Sequence, residues 1–302
     1  MITRSTAPFA LAALTAVLLA GCGAPSTPSP SAPPPTGVPV PTPAPSATPS
    51  TAELVLRVTS EGGFIGPAAT LAALPAVLVY VDGRILTPAP QPAIAPTPLL
   101  PSVLVRDVGP AGVAAIVASI RAAGLDKQAA DPGGITADTG STVIAVTLDG
   151  KTVTTRFRGM GGGPQGPGGP GAASPDPEQA AALALLARLE DPGDTWGAPA
   201  ATPTTLDPAG YRIFAAPGAP PADPATTRPT VAWPLATQLA SFGTPTPSDR
   251  GIEGLRQGVA LGADAATLAP ILASASTATG FTSEGTTWTL YVRPLLPDEL
   301  SR

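Results

Sequence analysis

Leu54, Leu56 and Val58 recur at every second position, with Arg57 between the last two, and Val77-Leu78-Val79-Tyr80-Val81 is a short apolar run closed by Asp82-Gly83. Alternation at a period of two marks a half-buried strand, and a short apolar run bounded by turn residues marks a buried one. Asp-Gly between such runs predicts a two-residue hairpin, because both residues tolerate positive φ. The signal recurs at Asp149-Gly150. There Ile144, Val146 and Leu148 point one way, and the return from Lys151 to Arg158 carries Val153, Thr155 and Phe157. A third hairpin is expected around Glu284-Gly285, with Trp288, Leu290 and Val292 on one face of the outgoing strand. Hairpins dominate, so the sheet should be largely antiparallel.

Three segments carry the helical period instead. Val113, Ile116, Val117 and Ile120 form an i, i+3, i+4, i+7 stripe, with Pro110 at the first helical position and Gly124 as the C′ stop. Asp176-Pro177-Glu178 reads as N-cap, first-position proline and first-turn acid. Ala182, Leu185, Leu186 and Leu189 follow, and Asp191-Pro192-Gly193 ends that helix. The third starts at Asp264 and carries Leu268, Ile271 and Leu272, with Pro270 expected to kink it or delay its start. Each stripe is explained by packing on a sheet. The fold class is α+β: a hairpin-built, largely antiparallel sheet with about three packed helices, as one domain or two lobes.

The order of helix, then hairpin with a Gly-x-Thr return strand bearing an arginine, occurs twice: Gly150-Lys151-Thr152 with Arg156, and Gly285-Thr286-Thr287 with Arg293. The helix-to-hairpin spacings differ, so a duplication into two lobes stays open beside a single domain. Residues 159–175 include Gly163 to Gly171, three collagen-like triplets, too few for a triple helix. A flexible Gly/Pro loop is expected there.

Upstream of Glu53 the pattern is different. Arg4 precedes an apolar run from Ala7 to Ala20, too short to span a hydrocarbon core of about 30 Å but with the anatomy of a secretory signal. The run ends in Leu19-Ala20-Gly21-Cys22, which resembles the lipobox of bacterial lipoproteins. The resemblance implies that the Cys22 thiol takes a diacylglyceryl group and that cleavage falls just before it. Cys22 is the only cysteine, so it has no disulfide partner within the chain. Between Ala24 and Ser50, eleven of 27 residues are proline and nine are Ser or Thr, with no charge and no aromatic. Such a segment buries too little apolar surface to fold, and as polyproline II it would reach about 85 Å. The expected organisation is a signal peptide over 1–21, a lipidated cysteine and Pro/Ser/Thr-rich stalk over 22–52, and a globular head over 53–302.

Composition removes several chemistries. The 302 residues include no histidine, which excludes Ser-His-Asp and Cys-His nucleophile pairs and histidine-ligated metals. A net charge of −5, with only 16 Lys and Arg residues, argues against nucleic acid as a partner. No phosphate-cradling glycine loop, metal cluster or calcium loop is legible, so no cofactor or metal is expected. Asp138-Thr139-Gly140 matches the loop of aspartic proteases, but that chemistry needs two carboxylates and no second such loop exists. A turn before a strand explains Asp138 better. Glu61, followed by Gly62-Gly63-Phe64, is the acid least explained by turns or caps, and it is the one candidate ligand-binding residue. Glycine beside it allows close approach of a ligand.

Glu61-Gly62-Gly63-Phe64, Leu74-Pro75, Tyr80-Val81-Asp82-Gly83-Arg84, Ala123-Gly124-Leu125 and Arg293-Pro294-Leu295-Leu296-Pro297-Asp298 together resemble a group of uncharacterised secreted or lipid-anchored proteins of high-GC Gram-positive bacteria. That resemblance implies no activity and no site residues. The functional expectation is a lipid-anchored protein on the extracytoplasmic face of the cell membrane, held there through Cys22 and acting as a binding or accessory module of the cell envelope. Its partner is an envelope protein or a small ligand. A small-ligand receptor is the alternative, a carboxylate-dependent hydrolase ranks behind both, and no catalytic residue is named.

Overall fold

The computed structural model describes residues 53–62, 70–93, 95–127, 140–158, 177–191, 193–194, 196–197, 202–221, 227–247 and 251–300. Cys22, the segments before Glu53, Asp138, Asp176 and the 159–175 segment lie outside them. The chain runs through β1 (Leu54–Glu61), β2 (Val77–Tyr80), β3 (Arg84–Pro88), β4 (Val103–Asp107), α1 (Gly109–Ala122), β5 (Ser141–Leu148), β6 (Lys151–Arg158), α2 (Pro177–Glu190) and β7 (Thr204–Thr205). These strands build a seven-stranded antiparallel sheet in the order β6-β5-β1-β2-β3-β4-β7. β8 (Gly210–Pro217), β9 (Thr230–Ala232), β10 (Thr244–Pro245), β11 (Arg256–Leu261), α3 (Gly262–Ser274), β12 (Gly280–Ser283) and β13 (Thr286–Pro294) follow. Their sheet has the order β10-β11-β8-β13-β12-β9, antiparallel except where β9 joins β12. The fold is α+β, with two sheets where one was expected.

The turn chemistry explains the hairpins. Asp149 and Gly150 take φ of 51° and 72°, and Glu284 and Gly285 take 50° and 76°, the two-residue type I′ geometry. The first hairpin differs from expectation. Leu78 pairs with Leu86 and Val79 with Ile85, so three residues, Val81-Asp82-Gly83, form the loop. Only Gly83 takes positive φ there, and Asp82 instead accepts hydrogen bonds from the Arg84 backbone and side chain.

α1 ends as expected. Gly124, at φ 73°, donates to the Arg121 carbonyl, and Leu125 donates to that of Ile120. This is a Schellman motif, with Leu125 packed into the same core as Ile120. α3 corrects its expected start. The chain turns at Gly262, φ 53°, so Asp264 falls in the first turn. Pro270 sits inside the helix, which runs on to Ser274 and forgoes the bond a backbone N–H would have donated there.

α1 and α2 cover one face of the first sheet. Ile116, Ile120, Ala182, Leu185 and Leu189 pack against Leu56, Val58, Ile144, Val146 and Phe157. α3 covers the second sheet, where Leu268 and Leu272 meet Ile213, Phe281, Trp288 and Val292. The repeated helix–hairpin order does not thread the two sheets alike. The first hairpin joins β1 through its leading strand β5, and the second joins β8 through its trailing strand β13.

All described residues lie in one compact unit, Thr48–Arg302, and the sheets exchange side chains. The β3–β4 connection bonds to the end of α3, with Leu99 N–H donating to Ala275 and Thr277 N–H to Thr97. Leu99 is thereby buried in the second sheet's core. In return Leu296, after β13, is buried among Leu78, Tyr80, Leu86 and Val103 of the first.

Candidate functional site

Among the described residues, two clusters of charged side chains lie largely away from the surface. One is a short 3-10 turn, Pro297–Glu299. Asp298 accepts a bond from the Tyr80 hydroxyl at 2.8 Å and pairs with Arg57, both on the first sheet. Its neighbour Glu299 turns to the second sheet, taking Arg293 in a bidentate pair at 2.6 and 2.6 Å, with Arg212 at 3.6 Å. Burial opposes ionisation of Glu299. The Arg293 hydrogen bonds and charge, the Leu296 backbone N–H and Arg212 outweigh it, so its pKa lies below the usual carboxylate value. Burial raises the Tyr80 pKa well above the ordinary phenol value, and the charge and hydrogen bond of Asp298 push it further. Every member of this cluster has a partner, and its chemistry is that of a clasp between sheets.

The second place is the C-terminal end of α2. Arg106 on β4, only 5% exposed, donates to the carbonyls of Leu189 at 2.8 Å, Asp194 at 3.2 Å, and Asp191. The Leu189 carbonyl is one that the helix terminus leaves unsatisfied, and those of Asp191 and Asp194 belong to the chain that follows the helix. Burial lowers the Arg106 pKa, opposed by the charges of Asp194 and Asp191. Alongside, Arg188 donates to the Asp194 carboxylate at 2.8 Å and lies 3.8 Å over the Trp196 ring. The Arg188 hydrogen bond is the main reason the Asp194 pKa is lowered, with the Trp196 N–H adding to it and burial opposing.

Against this corner lies a cavity of about 360 Å³. Ile85, Leu104, Leu189, Pro88 and Pro203 supply apolar wall, and Arg106 and Glu190 supply charge. The volume falls in the range of small-molecule sites, which are mostly apolar with a few polar groups. It is the candidate site of this protein.

Glu61 is not part of it. It ends β1 opposite Ser141, and its carboxylate accepts a bond from Arg156 at 2.5 Å, with both side chains about half exposed. That cross-strand pair accounts for an acid the sequence left unexplained. Sequence reasoning missed Arg106, Asp298 and Glu299. The available signal for Arg106 was a cation at the end of the apolar run Val103-Leu104-Val105, within a strand, while nothing local marked the two acids as buried. Among the described residues no group of three or more potential ligands comes together to hold a metal, and no helix is long and apolar enough to cross a membrane. No protein family, curated protein or solved structure matches the chain.

Proposed function

We propose that this protein is a lipid-anchored extracytoplasmic protein that acts by binding at the cell envelope. The observation that carries the reading is Leu19-Ala20-Gly21-Cys22, placed between a short apolar run and a 27-residue segment with eleven prolines. Thioether lipidation of Cys22 inserts acyl chains into the membrane, and the proline-rich segment holds the head away from it. In the head, Asp194, Asp298, Glu299 and Glu61 are each held by an arginine, an arrangement suited to holding elements together rather than to activating water. The test is detergent-phase partitioning of cells expressing the full chain, with and without Cys22→Ala. The wild-type protein should enter the detergent phase and the variant should be released to the aqueous phase. A variant that stays in the detergent phase overturns the anchor.

A second reading, a receptor for a small apolar ligand, is favoured by the cavity beside Arg106. Leu104→Trp fills that space. Apolar compounds that raise the thermal midpoint of the wild-type head should lose the effect in the variant. An equal rise in both places the ligand elsewhere.

A further inference from the structure

A buried cation in an apolar wall selects what a cavity admits. Ile85, Leu104, Leu189, Pro88 and Pro203 give the recess beside Arg106 its apolar surface. The two charged residues that line it differ in kind. Glu190 is exposed, so water and salt screen its carboxylate. Arg106 is 5% exposed, and a charge held away from water is screened far less. The field inside the recess is therefore that of the cation.

Arg106 is bonded but not neutralised. Its hydrogen bonds end on the carbonyls of Leu189, Asp191 and Asp194, which carry no net charge. The carboxylates on that stretch are engaged elsewhere. That of Asp194 takes Arg188 and the Trp196 N–H, and that of Asp191 takes the Gly193 N–H. Burial lowers the Arg106 pKa by more than the charges of Asp194 and Asp191 raise it. All three bonds come from Nη1 and Nη2, two from the first and one from the second. A guanidinium has five N–H donors, so Nε–H and one Nη2–H are unspent among the described residues. Nε and Nη2 lie along one edge of the planar fork, and a fork edge grips both oxygens of a carboxylate through parallel bonds.

We infer that the cavity binds a small amphipathic monocarboxylate, with its apolar body against Ile85, Leu104 and Leu189 and its carboxylate on Nε and Nη2 of Arg106. The bonds from Arg106 to the end of α2 stay in place, and the guest supplies the counter-charge that the protein does not. A cationic guest sets like charge against Arg106, and a neutral alcohol leaves the buried cation unpaired. At about 360 Å³ the space is near the lower end of small-molecule sites, which suits a single short chain or ring and not a diacyl lipid. This rests on the reading of the cavity as a ligand site and names the class of ligand.

The test titrates the full chain calorimetrically with octanoate, 1-octanol and octylamine, which share a tail and differ in the head group. Octanoate should bind saturably and about tenfold or more tighter than octanol, with octylamine weakest. Amide exchange should slow in β4 and at Leu189, and Leu104→Trp should abolish binding. Arg106 also ties β4 to α2, so the charge is varied at Glu190 instead. Glu190→Lys lies at an exposed helix end, where a lysine is well placed, so the thermal midpoint should not fall. It should tighten octanoate about three- to fivefold and leave octanol unmoved. Octanol as tight as octanoate, or octanoate indifferent to Glu190→Lys, with exchange still slowed in β4, leaves the cavity as a ligand site and overturns the carboxylate. No binding by any of the three, or slowed exchange only elsewhere in the head, overturns the cavity reading and the inference with it.

Discussion

Glu299 is an acid whose value to the fold depends on its charge. Its side chain is 11% exposed, and its hydrogen bonds to Arg293 and to the Leu296 backbone favour the ionised form. A carboxylate with a lowered folded pKa adds stability that is present above the unfolded value, about 4.3, and lost as pH falls through the folded one. Urea unfolding at a series of pH values should show that loss below about pH 4.3. Glu299→Gln should flatten its share of the profile and lower stability by about 2–3 kcal/mol at neutral pH, because two partly buried guanidiniums lose their counter-charge. An unchanged acid limb would mean that other carboxylates carry it. Arg106 differs in kind: its hydrogen-bond partners are carbonyls, so the bonds that tie β4 to α2 end on groups that do not themselves titrate.

The hairpins and helices were the legible part of the sequence because their signals are local. Asp149-Gly150 and Glu284-Gly285 state their own φ requirements, and Gly124 states a helix end. The Asp82-Gly83 loop was misjudged by one residue because Asp82 found hydrogen bonds to Arg84 that keep it out of the left-handed region. The cavity and the clasp were illegible because each joins residues far apart in the chain, and period or composition carries no such information. Two glycine substitutions separate the physical causes at this scale. Gly150→Ala has open space around the new Cβ, so its cost is the left-handed backbone alone, about 1 kcal/mol. Gly258→Ala places Cβ 2.3 Å from the Phe242 ring, a clash in ordinary strand conformation, and should cost more. Thermal or urea unfolding of the pair checks the order, and the reverse order would contradict the packing of Phe242 on β11.

At the scale of the molecule, Leu99 and Leu296 bind the two sheets as one object. Leu99→Ala and Leu296→Ala should each cost about 2–4 kcal/mol, as for large-to-small changes at buried sites. Each should also speed amide exchange in the sheet that lent the side chain as well as in the one that received it. Exchange confined to the receiving sheet would show that the sheets open separately. The same lending has a consequence in time. Asp298 follows its partner Arg57 by 241 residues. At about 5–20 residues per second, a ribosome that has finished β1 works for roughly 12 to 50 seconds before it makes the turn that covers Tyr80. Through that interval the outer face of the first sheet waits for Leu296 and the turn behind it, and a nascent chain of this design stays open there until β13 has been made.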